Sequence, residues 1–388
     1  MQVTLFIIFD IIKVRYQNKK LTRMKKLIIS YIVLLTGLSI HAQDTTDTWF
    51  SFFDEESQLI GYKNQQGEVK IEPKFMGLTM AKEFNGIIAV MEEKEGKYPS
   101  YYLTKSGRKV GVDSMNVVSN GFDCENEGFI RFRDQKTYKT GMFDSDGNIA
   151  IPPVYNEISR VHNGVIWALK GAKKEYWQEY HKESGCNHYQ WVGGQHLLIN
   201  TKNEILIDDF KYDRELDLYS LEIQNEPTSS PYKVSFKSVY NKYYTFVDVK
   251  KEFTYWFENQ LLPKLSVEKL REFSMDSITY SKEPEGLVTK SKDDFSQHNY
   301  NIIIEKLLST QIKGADFFIS MSELNPFIFK RENYRSYFNT CDEAKKQYPL
   351  MKIIINNDFD LPQDHIEFLK TDYGYRCISV TLGSAILE

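Results

Sequence analysis

The feature that most constrains this chain is internal repetition. The segment Gly61-Tyr-Lys-Asn-Gln-Gln-Gly67-Glu-Val-Lys-Ile-Glu-Pro73-Lys-Phe75 aligns without a gap, at an offset of 80 residues, with Gly141-Met-Phe-Asp-Ser-Asp-Gly147-Asn-Ile-Ala-Ile-Pro-Pro153-Val-Tyr155. Gly107, in Tyr101-Tyr-Leu-Thr-Lys-Ser-Gly-Arg-Lys-Val110, lies 40 residues from both Gly67 and Gly147 and continues the period. A fourth copy, Leu197-Leu-Ile-Asn-Thr-Lys-Asn203-Glu-Ile-Leu-Ile207, comes late because residues 172–196 are inserted before it.

Each copy has the grammar of a β-hairpin. A few strand residues lead to a turn whose Gly or Asn can take positive φ, and apolar residues then return at alternate positions: Val69 and Ile71, Ile149 and Ile151, Ile205 and Ile207. A Pro-x-aromatic follows, Pro73-Lys-Phe75 or Pro153-Val-Tyr155, and should drop a ring onto the neighbouring unit. Further apolar runs, Gly86-Ile-Ile-Ala-Val90 and Gly164-Val-Ile-Trp-Ala-Leu169, close the repeat. The 25 Phe, 25 Tyr and 5 Trp favour the same β-rich reading. Gly, a short strand, Asp-x-x-Gly or an equivalent, alternating aliphatics and Pro-x-aromatic together resemble the WG repeat over residues 59 to about 222. The Trp of the namesake pair is replaced by Ile60 and Thr140. The resemblance implies an all-β stacked or propeller-like array in an envelope or secreted protein, and carries over no catalytic residue.

Beyond the repeats, which are expected to fill a β-rich domain over residues 48–222, the composition breaks. Residues 223–231, with Asn225-Glu-Pro-Thr-Ser-Ser-Pro231, read as a linker. An α+β domain is expected over 232–388, with strands at 232–240 and 243–249 and helical patterning at 250–262, 267–273 and 297–312. Its last stretch reads as helix to Tyr348, strand 351–355, helix 362–370 and strand 375–382. That is a βαβ unit in which Asp360 caps the last helix and Gly374 follows it.

The N-terminus carries a processing signal. From Met24 the chain runs Met-Lys-Lys, then an apolar stretch from Leu27 to Ile40, then small or polar residues around Ala42 and Gln43. This is the order of a secretory signal peptide over 24–43, with residues 1–23 as an upstream extension and Met24 as the expected start. Cleavage is expected near Ala42 or Gln43, giving a periplasmic or secreted product with no integral membrane span. Residues 1–43 hold seven of the 49 Lys and Arg and one of the 53 Asp and Glu, so the remainder has 42 basic and 52 acidic side chains, a net charge of −10. An excess of that sign argues against nucleic acid as a partner and leaves protein, peptide or glycan open.

Two constellations invite a functional reading. The insert concentrates Trp177, His181, Cys186, His188 and Trp191 between two strands, where binding loops tend to sit; an aromatic contact surface for a peptide or sugar is the functional reading placed ahead of a metal site, and it stands against an extended hairpin whose aromatics merely pack across strands. Asp358 and Asp360 follow a buried-looking strand, with His365 shortly after, and could serve a hydrolase-like activity if they converge. The chain has no Gly-x-Ser-x-Gly, His-Glu-x-x-His, phosphate loop or EF-hand spacing, and no metal or other cofactor is expected. Four cysteines, Cys124, Cys186, Cys341 and Cys377, allow three full pairings, of which Cys341 with Cys377 is favoured because both fall in the same expected domain. The preferred function is a non-catalytic interaction protein, and the alternative a hydrolase-like enzyme in the second half.

Overall fold

One turn, used four times, sets the first half of the molecule. In Asn64–Gly67, Thr104–Gly107, Asp144–Gly147 and Asn200–Asn203 the last residue's N–H donates to the first residue's carbonyl at 2.9–3.0 Å. The first residue's side-chain oxygen then accepts the N–H of the residue after the turn, at 2.9 Å from Glu68, 3.1 Å from Arg108, 2.8 Å from Asn148 and 2.9 Å from Glu204. The last turn residue has φ of 84°, 85°, 77° and 63° in the four cases, which is why Gly or Asn stands there. In three of the four hairpins the register shifts by one residue near the turn.

The computed structural model describes residues 47–118, 121–176, 189–282, 284–357, 362–383 and 385–387. The four turns belong to four small antiparallel sheets, with Leu59–Lys63, Ser100–Thr104, Thr140–Asp144 and Gln195–Asn200 as the strands entering the turns. Neighbouring sheets share cores, and the period of two in a strand makes this possible. In Ile87–Met91, Ile88 and Val90 join the first unit's Tyr62, Phe75 and Phe84, while Ile87 and Ala89 join the third unit's Ile130, Phe132 and Phe143. The third and fourth units likewise share Met142, Ile151, Tyr155, Ile166 and Leu197. Polar contacts repeat the theme: Arg108 of the second unit donates to the Asp146 carbonyl (3.0 Å) and Asn148 Oδ1 (2.9 Å) at the third turn. The Tyr155 hydroxyl, from the expected Pro-x-aromatic, donates to Asn203 Oδ1 at the fourth turn (2.7 Å).

The repeat's first glycine answers a close approach. A Cβ on Gly141 would lie 2.5 Å from the Ile151 carbonyl oxygen and 2.9 Å from the Phe132 ring; on Gly61 it would lie 2.7 Å from the Ile71 oxygen and 2.8 Å from the Phe52 ring. In both units the Phe is the cross-strand partner of the Gly. Because the obstructing atom is backbone in the adjacent strand, Gly141→Ala should cost about 1–3 kcal/mol in urea unfolding. A change within about 0.5 kcal/mol of wild type would mean that something other than this approach demands the glycine.

Of residues 223–231, expected as an interdomain linker, 223 and 224 end a strand and 225–231 connect it to another strand of the same sheet. Leu216–Gln224 and Lys233–Lys237 flank the central strand Tyr243–Asp248. The polar residues that read as a linker pin the loop: the Thr228 N–H donates to Ser235 Oγ (2.9 Å), and Lys242 donates to the Asn225 side chain. This sheet packs Leu216, Leu218 and Phe246 against Val165, Leu198 and Phe210 of the fourth unit, so a single core spans the expected boundary.

The rest of the chain builds a six-stranded sheet in the order Gly286–Ser291, Ser274–Lys282, Gly374–Thr381, Asp364–Thr371, Leu350–Ile355, Phe317–Ser322. Only Ser274–Lys282 and Gly374–Thr381 run parallel. Helices Val249–Trp256, Val267–Glu272 and Gln297–Ser309 cover one face, each capped by a side chain at its N-terminus: Asp248, Ser266 and Ser296. Phe253, Trp256, Ile303 and Leu307 pack there on Met351, Ile353, Ile366 and Phe368. The segment 324–348 covers the other face with Leu324, Phe329, Tyr334 and Phe338 against Leu350, Leu369 and Ile378.

Two expectations fail here. Residues 362–370 are not a helix: Asp364–Thr371 is a strand forming a hairpin with Gly374–Thr381, so the expected βαβ unit is not present among the described residues, and Asp360, expected as the helix cap, lies outside them. Ile366, Phe368 and Leu369 satisfy helical and strand periods alike over so short a run, and Gly374, at φ 88°, serves the hairpin turn rather than a helix end. The helix expected up to Tyr348 is only the short Arg331–Tyr334 with a 3-10 turn after it.

The cysteine pairing is corrected as well. The disulfide joins Cys124 to Cys341, and Cys377 is a buried free thiol. Cys377 points into the core under the helices, whereas its neighbour Ile378 faces the 324–348 segment that carries Cys341. Alternation along the strand thus puts Cys377 and Cys341 on opposite sides of the sheet. The 324–348 segment also docks on the first half: the Thr340 carbonyl accepts from Lys82 N–H (2.7 Å) and Glu83 N–H (3.0 Å), and Glu83 pairs with Arg331 and Arg335.

Candidate functional site

The insert forms an antiparallel hairpin, Lys173–Tyr176 with Tyr189–Val192. Its base is fixed by Asn156, whose amide donates to the Ala172 carbonyl (2.8 Å) and whose Oδ1 accepts the Ala172 N–H (3.0 Å). Of the four residues expected to bind a ligand, the structure places Trp191; Trp177, His181 and His188 lie outside the described residues, as does Cys186.

Trp191 belongs to an aromatic cluster gathered around a cation. The Lys174 Nζ stands 4.1 Å from the Tyr189 ring centroid, 4.8 Å from Tyr138 and 5.6 Å from Trp191. Tyr189 meets Trp191 edge to face at 5.3 Å and Tyr176 at 6.0 Å, and the Lys139 Nζ lies 6.0 Å from the Trp191 ring. Tyr138 and Tyr176 are more than half exposed, at 53% and 57%, so rings in this cluster remain open to solvent. A lysine over aromatic faces is worth about 0.5–1 kcal/mol at an exposed site, which biases the rings toward this arrangement. Sequence reasoning missed Tyr138 because it sits on the turn before Thr140–Asp144, and only the fold carries it to Lys174.

The second constellation is not assembled among the described residues. Asp358 and Asp360 lie outside them. His365 is on the strand Asp364–Thr371, paired with Ile354 and Thr381, and its Nε2 stands 3.5 Å from Gln363 Oε1. The acidic group beside it, Asp364, is fully buried, ion-paired to Lys306 at 2.8 Å, and accepts from Asn357 Nδ2 (3.0 Å) and Gly383 N–H (2.9 Å). Successive strand residues face opposite sides, so Asp364 and His365 point apart. Among the described residues no group of three His, Cys, Asp or Glu side chains gathers to hold a metal, and no helix is long and apolar enough to cross a membrane.

Residues 141–173 match the family model of the WG containing repeat. The matched span runs from the third unit's glycine, Gly141, through Val165–Lys170 to the first residue of the insert hairpin, so this repeat lies in the N-terminal half where the Pro-x-aromatic grammar was read. No curated protein and no solved structure matches the chain.

Proposed function

We propose that this protein is a non-catalytic binding protein of the bacterial envelope, periplasmic or secreted, which contacts a protein, peptide or glycan through its insert hairpin. The observation that carries the reading is the partly exposed cluster in which Tyr176, Tyr189 and Trp191 of the insert hairpin meet Tyr138 around Lys174, with the base of the hairpin fixed by Asn156. Aromatic rings with open faces contribute large contact area at small entropic cost, because they have few rotatable bonds, and stack on the flat faces of sugars and peptide side chains. The disulfide supports export, since such bonds persist in oxidising compartments. The order of residues 24–43 supports the same reading. Shared cores between successive hairpin units favour a stacked or propeller-like array, and helices on one face of a mixed sheet favour an α+β second half.

The test compares wild type with a Tyr189→Ala, Trp191→Ala double variant in recovery of partners from envelope extract. The expected outcome is at least about a tenfold loss of the specifically recovered partner, as aromatic anchors removed from a contact centre typically cost more than 1 kcal/mol each. Equal recovery by both proteins would remove the hairpin as the contact surface.

A further inference from the structure

A cavity of about 270 Å³ opens between the fourth unit and the 324–348 segment, far in sequence from the insert. One wall is formed by His162, Tyr212, Arg214 and residues 216–219, the other by residues 321–323, 344–346, 348 and 349. Tyr212, Tyr219 and Tyr348 supply rings, and Leu218, Val249 and Met321 supply apolar surface.

Most of the charge on these walls is already matched. Asp217 pairs with Lys370 at 3.3 Å and accepts the Tyr219 N–H at 3.0 Å; Glu323 pairs with Lys346; and Lys345 donates to the Ser336 carbonyl at 2.9 Å. Arg214 differs from these: exposed at the cavity, it makes no hydrogen bond or ion pair among the described residues. His162 supplies a second donor. Tyr219 Oη accepts from Asn126 Nδ2 (3.2 Å) and lies 3.2 Å from His162 Nδ1. With Tyr219 donating to Nδ1, the proton of the neutral ring sits on Nε2, which has no partner among the described residues. Burial, with Arg160 and Arg131 nearby, pushes the His162 pKa down to about 4, so the ring is neutral at ordinary pH.

We infer that this cavity binds a small flat organic carboxylate, its ring among Tyr212, Tyr219 and Tyr348 and its anionic end on Arg214 with His162 Nε2–H as a further donor. The size is adequate: an apolar cavity of roughly 150 Å³ accepts benzene, and this one has room for a ring with a substituent. The chemistry selects the sign, because the wall acids Asp217 and Glu323 each have a lysine partner, whereas the guanidinium has no anionic partner among the described residues. A guanidinium is also the group best shaped to hold a carboxylate through two hydrogen bonds.

The experiment titrates the intact protein, labelled with ¹⁵N-histidine, with benzoate and separately with its neutral analogue benzamide, following the His162 ring resonances. Fluorescence of Trp167, which stacks on Tyr212 with centroids 5.3 Å apart, gives a second reading. Benzoate is expected to saturate both signals, with benzamide and the Arg214→Ala variant each at least tenfold weaker. Arg214 is exposed and unpaired, so the variant should keep its fold, which the unchanged His162 spectrum without ligand checks. A benzoate dissociation constant weaker than about 1 mM, equal affinity for benzamide, or an affinity untouched by Arg214→Ala overturns the proposal.

Discussion

Replacing Asp123 by alanine should destabilise the protein by about 3–5 kcal/mol, the range for leaving buried charge uncompensated. The Asp123 carboxylate has no exposed surface, and accepts from Arg131 Nε and Nη2 at 2.7 and 2.8 Å and from Arg160 Nε at 2.7 Å. Arg160 continues to Glu343 in the 324–348 segment, and Glu343 accepts from Asn339 Nδ2 at 2.8 Å. The chain of charges thus links the third unit, the fourth unit and the segment that covers the second-half sheet. Truncating Asp123 leaves Arg131 without its carboxylate partner and Arg160 with Glu343 alone, while their side chains are only 14% and 17% exposed.

The same network sets a pH dependence whose sign follows from its carboxylates. Burial alone would raise the Asp123 and Glu343 pKa values, but the guanidinium groups beside them outweigh it and hold both below the ordinary range. A depressed folded-state pKa contributes stability that is fully present above the unfolded value, near 4, and is lost as pH falls toward the folded values. Wild type should therefore lose stability as pH drops below about 4, and Asp123→Ala should lose less over the same interval. Urea midpoints measured across that range check both statements; parallel profiles for the two proteins would show that Asp123 is not the group responsible.

Local pattern and long-range pairing were not equally legible. Gly67, Gly107, Gly147 and Asn203 could be found from spacing because a turn that needs positive φ leaves few residue choices, and each choice is visible in one short window. The strand Leu350–Ile355 was equally plain, because Pro349 and Asn356-Asn357 bound a short run that ends in three β-branched isoleucines. Asp364–Thr371 was misread because eight residues are too few to separate a period of 2 from one of 3.6. Arg160 and Glu343 lie 183 residues apart and Cys124 and Cys341 217 apart, so neither pairing leaves a trace in composition or periodicity. The candidate sites divide in the same way. Trp191 drew notice through the local crowding of aromatics, whereas Tyr138 reaches Lys174 only through the fold, and His162, Arg214 and Tyr219 meet at a cavity without forming any motif.

Removing the disulfide should have an effect of similar size. Cys124 lies beside the Asp123 network in the first half, and Cys341 lies in the 324–348 segment, so the bond closes a loop of 217 residues across the contact between the two halves. A closure that long restricts the unfolded chain strongly: the chain-entropy estimate is near 5 kcal/mol, and native disulfides typically contribute about 2–5 kcal/mol when measured. Both sulfurs are buried in the core with Tyr62, Phe75 and Phe84, which keeps reductant from them while the structure is closed. The expected result is that a Cys124→Ala, Cys341→Ala variant unfolds about 2–5 kcal/mol more easily than wild type, and that dithiothreitol lowers the wild-type unfolding midpoint toward that of the variant without moving the variant itself. Cys377→Ala serves as the control. Burial first, and then Glu367, push the Cys377 thiol pKa up to about 12, leaving it un-ionised and inert at neutral pH, so its removal should not change the response to reductant. Peptide mapping without reduction settles which sulfurs are joined: a linked pair of peptides holding Cys124 and Cys341 is expected, and a Cys341–Cys377 pair in its place would overturn this account of the contact between the two halves.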